Sequence, residues 1–436
     1  MTRQWWRYTI SALVLIITLF SLVSMSLFVT LLDTQKPPML KTRLIKEVNP
    51  VLDLIPQQYQ HEVEVSPHKN DIAQYYKHTG RLDRVYCMIP TLYTPKRIRL
   101  WEAILLSWGR KCDVLKFFVD PVPGTDLPTS YSYGGYTAGV VTVPMMRNNT
   151  GICGDGLPCR HIWEKVWRSW VYVFENDLAS AEWFLKIDDD TYFIPSNIRR
   201  FTRERQWSPD DPHYFGHLFY ITKEPFQLIS GVCTAFSRES INRLGPRLNF
   251  MEHEYGDRVN FPQSHGICVD RDGATEERVT SKCLAEVGVV AENALEDNTR
   301  EYVVPLGIPF SLTYFRKPDT TSWYWAGKPT TRGDMKDCCS VKAWGIHGYK
   351  GSSRLAQMEI LMTDVTTKAL ADEKEVYQQR LGKYNARHPS GDHTRIIDKI
   401  AQLQYLEELR QSIASDLEAY PTFQGGNITK INFDLY

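Results

Sequence analysis

The stretch from Val85 to Val119 constrains the fold of this chain more than any other. Val85-Tyr86-Cys87-Met88-Ile89 is a short apolar run that ends at Pro90. Ile98, Trp101, Ile104, Leu105 and Trp108 then recur on one helical stripe. Val114 to Val119 is a second apolar run, closed by Asp120 and Pro121. Strand, helix and strand in that order are the βαβ pattern of a parallel sheet, so the chain reads as an α/β protein.

The pattern continues downstream. Pro121 to Cys159 is rich in Gly, Tyr, Pro and Asn and reads as a loop. From His161 a helical period returns, with Trp163, Val166, Trp167, Trp170 and Phe174 on one face that reads as core. Trp183-Phe184-Leu185-Lys186-Ile187 is a further strand, and it runs straight into Asp188-Asp189-Asp190. A helix is expected to begin near Ser196, with that serine as its cap. After residue 353, Ile396, Ile400, Leu403, Leu406, Ile413 and Leu417 recur at helical spacing among charged residues. Such an amphipathic helix packs either on the main domain or on a second chain, so a homodimer is one expected state.

The N-terminal end carries a topological signal. Arg3 and Arg7 precede an uncharged run from Tyr8 to Leu32, and Trp5, Trp6 and Tyr8 suit the headgroup level. The run exceeds the roughly 20 residues that span a bilayer core. A cleaved signal peptide is the competing reading, but the run is long for one and no small-x-small site follows it. Pro37, Pro38, Pro50, Pro56 and Pro67 mark an irregular stem. All nine cysteines lie beyond the apolar run, as do glycosylation sequons at Asn148 and Asn427. Together these favour an oxidising lumen for the rest of the chain and a cytoplasmic N-terminus. The 51 basic residues are balanced by 51 acidic ones, which argues against a nucleic-acid partner. The expected layout is a tail over 1–7, an anchor over 8–32, a stem over 33–80, a catalytic domain over 81–352 and a helical extension over 353–436.

The aspartate triplet is the main candidate for chemistry. It follows a buried strand, at the sheet edge where ligands gather in open α/β folds. Side chains two apart point the same way, so Asp188 and Asp190 can converge on one ion. Hard carboxylate oxygens suit Mn²⁺ or Mg²⁺, and such an ion would bridge the phosphates of a nucleotide sugar. The plain alternative is a solvated acidic turn that caps a helix.

Several blocks occur in a set order. Val85-Tyr86-Cys87 is followed by Ser107-Trp108-Gly109-Arg110-Lys111-Cys112, and Trp183 to Tyr192 forms the second block. Tyr214-Phe215-Gly216, Ser230-Gly231 and Ser237-Arg238-Glu239-Ser240 form the third. Trp323-Tyr324-Trp325, Cys338-Cys339-Ser340 and His347 form the fourth. In this order they resemble the metal-dependent, inverting β-1,3-glycosyltransferases that include the Fringe proteins, and within that family the core 1 O-glycan β-1,3-galactosyltransferases most. The resemblance implies a GT-A-type, Rossmann-like nucleotide-sugar-binding domain with a mixed, mostly parallel sheet, preceded by a single transmembrane helix. It implies a single-pass type II protein of the Golgi membrane with its catalytic domain in the lumen. It also implies Mn²⁺ as cofactor, a UDP-sugar donor and a glycoprotein acceptor bearing O-linked N-acetylgalactosamine. Galactose is the expected sugar, with glucose, N-acetylglucosamine and N-acetylgalactosamine as alternatives. A non-catalytic chaperone or lectin homologue is a further alternative, against which the intact triplet speaks.

Residue by residue, the resemblance implies that Asp188 and Asp190 bind the metal and donor phosphates, and that Asp189 joins Asp188 in binding the nucleotide sugar. His347 is similar to the family's distant histidine ligand. Thr91 falls where the family holds the nucleotide, and Lys165 falls in a segment whose lysine is expected to approach the diphosphate. The family's base lies in a Glu-Asp pair before a cysteine. Here Glu276-Glu277 precedes Cys283, and Glu277 stands in place of the Asp, so either glutamate can serve; an exposed acidic loop is the plain alternative. Gly231-Val232-Cys233-Thr234 departs from a Gly-Gly-Ala-Gly-like run and brings bulkier side chains near the acceptor cleft. Cys87 is expected to pair with Cys112. Cys338 and Cys339 are expected to bond different partners, because adjacent residues close a strained ring. Cys233, outside the family pattern, is expected to be free. Trp323, Tyr324 and Trp325 can stack on sugars or pack in the core.

Overall fold

A computed structural model describes residues 83–145, 159–219, 227–255, 276–308, 311, 338–363, 367–388 and 393–413. The apolar run over 8–32, the stem, both sequons, Trp323 to Trp325 and Leu417 lie outside the described residues. Among the described residues no helix is long and apolar enough to cross a membrane.

The expected βαβ unit is present. Every residue of β1 (Val85–Thr91) is buried. Thr94 caps α1 (Pro95–Leu106), its hydroxyl accepting from the Arg97 amide, and Pro95 opens the helix. β2 (Val114–Val119) returns parallel to β1. The indole of Trp101 stacks on Phe117 with centroids 4.4 Å apart, which presses α1 onto the sheet. Cys87 bonds Cys112, as expected.

The stretch after Pro121 is more ordered than expected. It holds a hairpin of β3 (Ser130–Tyr133) and β4 (Tyr136–Thr142). Gly134 and Gly135 join them with φ of +56° and +77°. Two such residues make the tight turn whose twist suits a hairpin. The Ser and Thr content of the strands hid an alternation that a half-exposed edge permits.

α2 (Cys159–Tyr172) carries Trp163, Val166, Trp167 and Trp170 into the core. β5 (Trp183–Ile187) pairs parallel with β1 on the side away from β2. After β6 (Thr191–Phe193), α3 (Pro195–Glu204) begins one residue before the expected cap. Ile194 is the N-cap and no side chain caps it. Proline at the first helical position has no N–H to leave unpaired, and its preset φ starts the helix at Pro195.

Next come β7 (Tyr214–Gly216), a small pair β8 (Leu218–Phe219) and β9 (Leu228–Ile229), and β10 (Cys233–Ser237). α4 (Arg238–Tyr255) and α5 (Glu276–Glu286) follow. β11 (Ala291–Asn293), a pair β12 (Leu295–Glu296) and β13 (Arg300–Glu301), β14 (Val303–Val304) and β15 (Gly345–His347) complete the strands. The main sheet has eight strands in the order β11-β7-β10-β5-β1-β2-β4-β3. Its centre, β5-β1-β2-β4, is parallel, while β10 and β3 run antiparallel to their neighbours. A second sheet orders β14-β15-β6. This mixed α/β arrangement with a parallel centre fits the GT-A-type fold expected from the motif blocks.

Cys338 and Cys339 bond each other, contrary to the expectation of separate partners. Their Cα atoms lie 3.7 Å apart, the ordinary spacing of neighbours across a trans peptide. Glu301 N donates to Cys338 O and Ser340 N donates to Glu301 O, both at 2.9 Å. That strand-like clamp holds the backbone on both sides of the ring. Cys233 is buried and free.

Of the two settings expected for the amphipathic tail, packing on the main domain is observed. In α6 (Ser352–Thr363), buried Glu359 accepts from Tyr192 at 2.6 Å, Arg110 at 3.1 Å and Lys111 at 3.3 Å. α7 (Thr367–Arg387) packs along α8 (Thr394–Ser412). From α8, the Tyr405 hydroxyl donates to Ser340 O at 2.8 Å, and Arg200 donates to Ser412 O at 2.7 Å.

Candidate functional site

The strand order places the site. β1 has β2 on one side and β5 on the other, so the chain's course reverses at β1. In open α/β sheets ligands bind at such a point, outside the carboxyl ends of the strands. Here those ends carry Thr91 on β1, Asp120 after β2 and Asp188 after β5.

The triplet forms a turn, with Thr191 N donating to Asp188 O at 3.0 Å. Asp188 N is itself held by Val232 O at 3.1 Å. β15 then pairs antiparallel with β6, which sets His347 opposite Thr191. The result is a half-buried cluster of Asp188, Asp190 and His347, with one ligand atom from each lying within 4.8 Å of the others. His347 Nε2 lies 3.1 Å from Asp190 Oδ1. Its Nδ1 lies 2.7 Å from Pro305 O and, facing a carbonyl, donates there. That leaves Nε2 as the atom able to coordinate a metal, in the arrangement usual for a metal-bound histidine. Two carboxylates and an imidazole fit a divalent cation such as Mn²⁺.

Burial opposes the charged forms of Asp190 and His347. For Asp190 the His347 contact, helped by Arg97 and Lys350, outweighs burial and holds the carboxyl below its ordinary value. For His347 the Asp190 contact likewise outweighs burial and raises its pKa.

Asp189 faces the other way, as alternation requires. It is buried, accepts from the Thr91 hydroxyl at 2.6 Å and pairs with Arg97 from α1. Burial pushes it up to about 6, against the pull of Arg97 and Thr91 and with repulsion from Asp190 and Asp188 adding to the rise. Lys165, on α2, is buried, and its ammonium meets Thr91 O and Asp120 Oδ1, both at 2.6 Å. Burial lowers its pKa, opposed by Asp120. It therefore ties the ends of β1 and β2 together.

Glu276 and Glu277 stand in the first turn of α5, where the helix dipole favours carboxylates, and not in an exposed loop. Glu276 is buried and accepts from Lys186 Nζ at 3.2 Å. Burial, with Glu277 nearby, pushes its carboxyl up to about 7 despite Lys186. Glu277 is half-buried, and among the described residues its carboxylate accepts no hydrogen bond. Both carboxylates press on Gly231: a Cβ there would lie 2.5 Å from Glu276 Oε2 and 2.8 Å from Glu277 Oε1. The aspartates, His347, Thr91, Lys165 and the glutamate pair thus gather at one end of the sheet.

Sequence reasoning did not single out Arg97, Asp120 or Lys186. Only Lys186 carried a local signal, as a lone charge inside an apolar strand, two residues before Asp188 and so on its face.

A parallel-centred sheet with an Asp-Asp-His cluster at its reversal point defines an α/β domain suited to holding a divalent cation at a ligand site. No protein-family model matches the chain. Over 267 residues it is 27% identical to glycoprotein-N-acetylgalactosamine 3-beta-galactosyltransferase 1 of Xenopus laevis. That match takes in 61% of this chain and 62% of the relative's length. The similarity supports the relationship to that family which the ordered motif blocks imply.

Proposed function

We propose that the protein is a metal-dependent, inverting β-1,3-glycosyltransferase. The observation that carries this reading is the meeting of Asp188, Asp190 and His347 at the carboxyl ends of the parallel strands. The donor is a UDP-sugar, with galactose favoured by the relative's name, and the acceptor is O-linked N-acetylgalactosamine on a glycoprotein.

Asp188, Asp190 and His347 hold the cation, which is Mn²⁺ in this reading. When bound, it neutralises the charge that builds on the departing diphosphate. Thr91 and Asp189 line the nucleotide side, with Arg97 keeping Asp189 oriented. Lys165 serves this side by fixing the strand ends. On the opposite side Glu277 is the base, because Glu276 is engaged by Lys186 while Glu277 remains half-exposed. The acceptor hydroxyl oxygen forms the new bond to the anomeric carbon. The bond from that carbon to the diphosphate breaks, and its electron pair leaves with UDP. The hydroxyl proton passes to Glu277. Attack opposite the leaving group inverts the centre.

The apolar run over 8–32 and the oxidised cysteines suit a type II Golgi membrane protein with this domain in the lumen. Calorimetry tests the reading: UDP should bind in the presence of Mn²⁺ and lose affinity when the metal is chelated. Metal-independent binding, or none, would remove the enzymatic reading.

A further inference from the structure

Lys186 interrupts a buried strand and is 3% exposed. Its ammonium meets Gly231 O at 2.6 Å, Asp188 Oδ1 at 2.7 Å and Glu276 Oε2 at 3.2 Å. An ammonium has three donors, so its capacity is filled. The acceptors come from three places: the turn after β5, the loop before β10 and the first turn of α5. Folding alone does not call for this charge, since a buried ion pair can often be replaced by apolar side chains without loss. Gly231 completes the device. Its missing side chain is what lets both glutamates close on the loop that Lys186 grips.

We propose that Lys186 is a positioning residue that couples the cation cluster to the acceptor side, fixing the first turn of α5 so that Glu277 stands at a set distance from Asp188. The inference rests on the function proposed above. Lys186 touches no substrate; it acts through Asp188 on one side and through Glu276 and Gly231 on the other. Its removal should therefore slow transfer by more than it weakens donor binding.

The test compares Lys186→Met combined with Glu276→Gln, which removes both charges of the buried Lys186–Glu276 pair, against Glu276→Gln alone. Gly231→Ala is a second route, since its methyl must displace both carboxylates. For each folded protein, Mn²⁺-dependent UDP affinity is read by calorimetry and kcat and KM by transfer. Gly231→Ala should keep UDP affinity while kcat falls about 100-fold, the cost of a misplacement near 1 Å. The double variant should lose kcat to the same extent, with a smaller loss of UDP affinity because Lys186 also contacts Asp188. Wild-type kcat in either folded variant overturns the proposal. So does a fall in UDP affinity that exceeds the fall in kcat in the double variant, which would put Lys186 in the donor site, or loss of turnover in Glu276→Gln alone, which would make Glu276 the base. If the double variant does not fold, Gly231→Ala decides. Absence of Mn²⁺-dependent UDP binding in the wild type would instead remove the parent reading.

Discussion

His347 Nε2 lies 3.1 Å from Asp190 Oδ1, although the two residues belong to distant parts of the chain. The antiparallel pairing of β15 with β6 brings them together, and Tyr349 N fastens the corner by donating to Asp190 O at 2.9 Å. The contact is a property of sheet register and not of local sequence. Shifting β15 by one residue would turn the imidazole to the other face.

Replacing either partner should therefore remove the cation. In Asp190→Ala and His347→Ala, Mn²⁺ affinity measured by paramagnetic resonance should fall by more than about 100-fold, because even outer contacts of metal ligands are worth about 10- to 100-fold. Both residues are half-buried, so melting temperature should change little. Undiminished Mn²⁺ binding in both variants would place the cation elsewhere.

Glu277→Gln should separate chemistry from binding. Loss of a general base typically costs about 10²- to 10⁴-fold in rate. UDP affinity with Mn²⁺ should be unchanged, since the proposed mechanism puts Glu277 on the acceptor side. Full activity in this variant would transfer the role to another group.

Much of the centre of the fold was legible because β1, β2 and β5 are short, mostly apolar runs closed by Pro or Asp. The hairpin of β3 and β4 was not, since half-exposed strands rich in Ser and Thr resemble a loop. Pro195 took the helix start that Ser196 suggested, because a preset φ outweighs a side-chain cap. Cys338 and Cys339 closed their ring where a neighbouring strand pins the backbone. At the site, alternation was enough to send Asp188 and Asp190 one way and Asp189 the other. His347, Thr91 and Lys165 had no local signature; family resemblance alone pointed to them, since only long-range pairing brings them near the triplet. Arg97 approaches from a helix and could not be read from spacing.

Docking of α6 should be sensitive to acid. Burial alone would raise the Glu359 carboxyl, but Lys111, Arg110 and the Tyr192 hydroxyl outweigh it and hold it below its ordinary value. The folded state then binds fewer protons than the unfolded state. Its contribution is present above the unfolded pKa of about 4.3 and is lost as pH falls through the lower folded value. Glu359→Gln should cost about 3–5 kcal/mol at pH 7, because Arg110 and Lys111 lose the buried carboxylate they share. In thermal melts the gap from the wild type should narrow as pH drops below the carboxylate range. A gap that stays constant with pH would mean the carboxylate charge contributes nothing.

The free thiol bears on the same corner as His347. A Cβ at Gly345 would lie 2.8 Å from Cys233 Cβ and 3.0 Å from its Sγ. Gly345→Ala should cost about 1–3 kcal/mol through overpacking, and should weaken Mn²⁺ binding because β15 carries His347. Adding Cys233→Gly should restore part of both. Chemical denaturation with a parallel Mn²⁺ titration measures the two effects, and an unaltered Gly345→Ala protein would contradict the packing account.

The most direct measurement is transfer itself. The protein is incubated with UDP-galactose and a glycopeptide carrying α-linked N-acetylgalactosamine, with Mn²⁺ or with a chelator, and the product is read by NMR. The account predicts a new β-linked sugar at the 3-hydroxyl that forms only with the metal. An α-linked product, or transfer undiminished by the chelator, would contradict it.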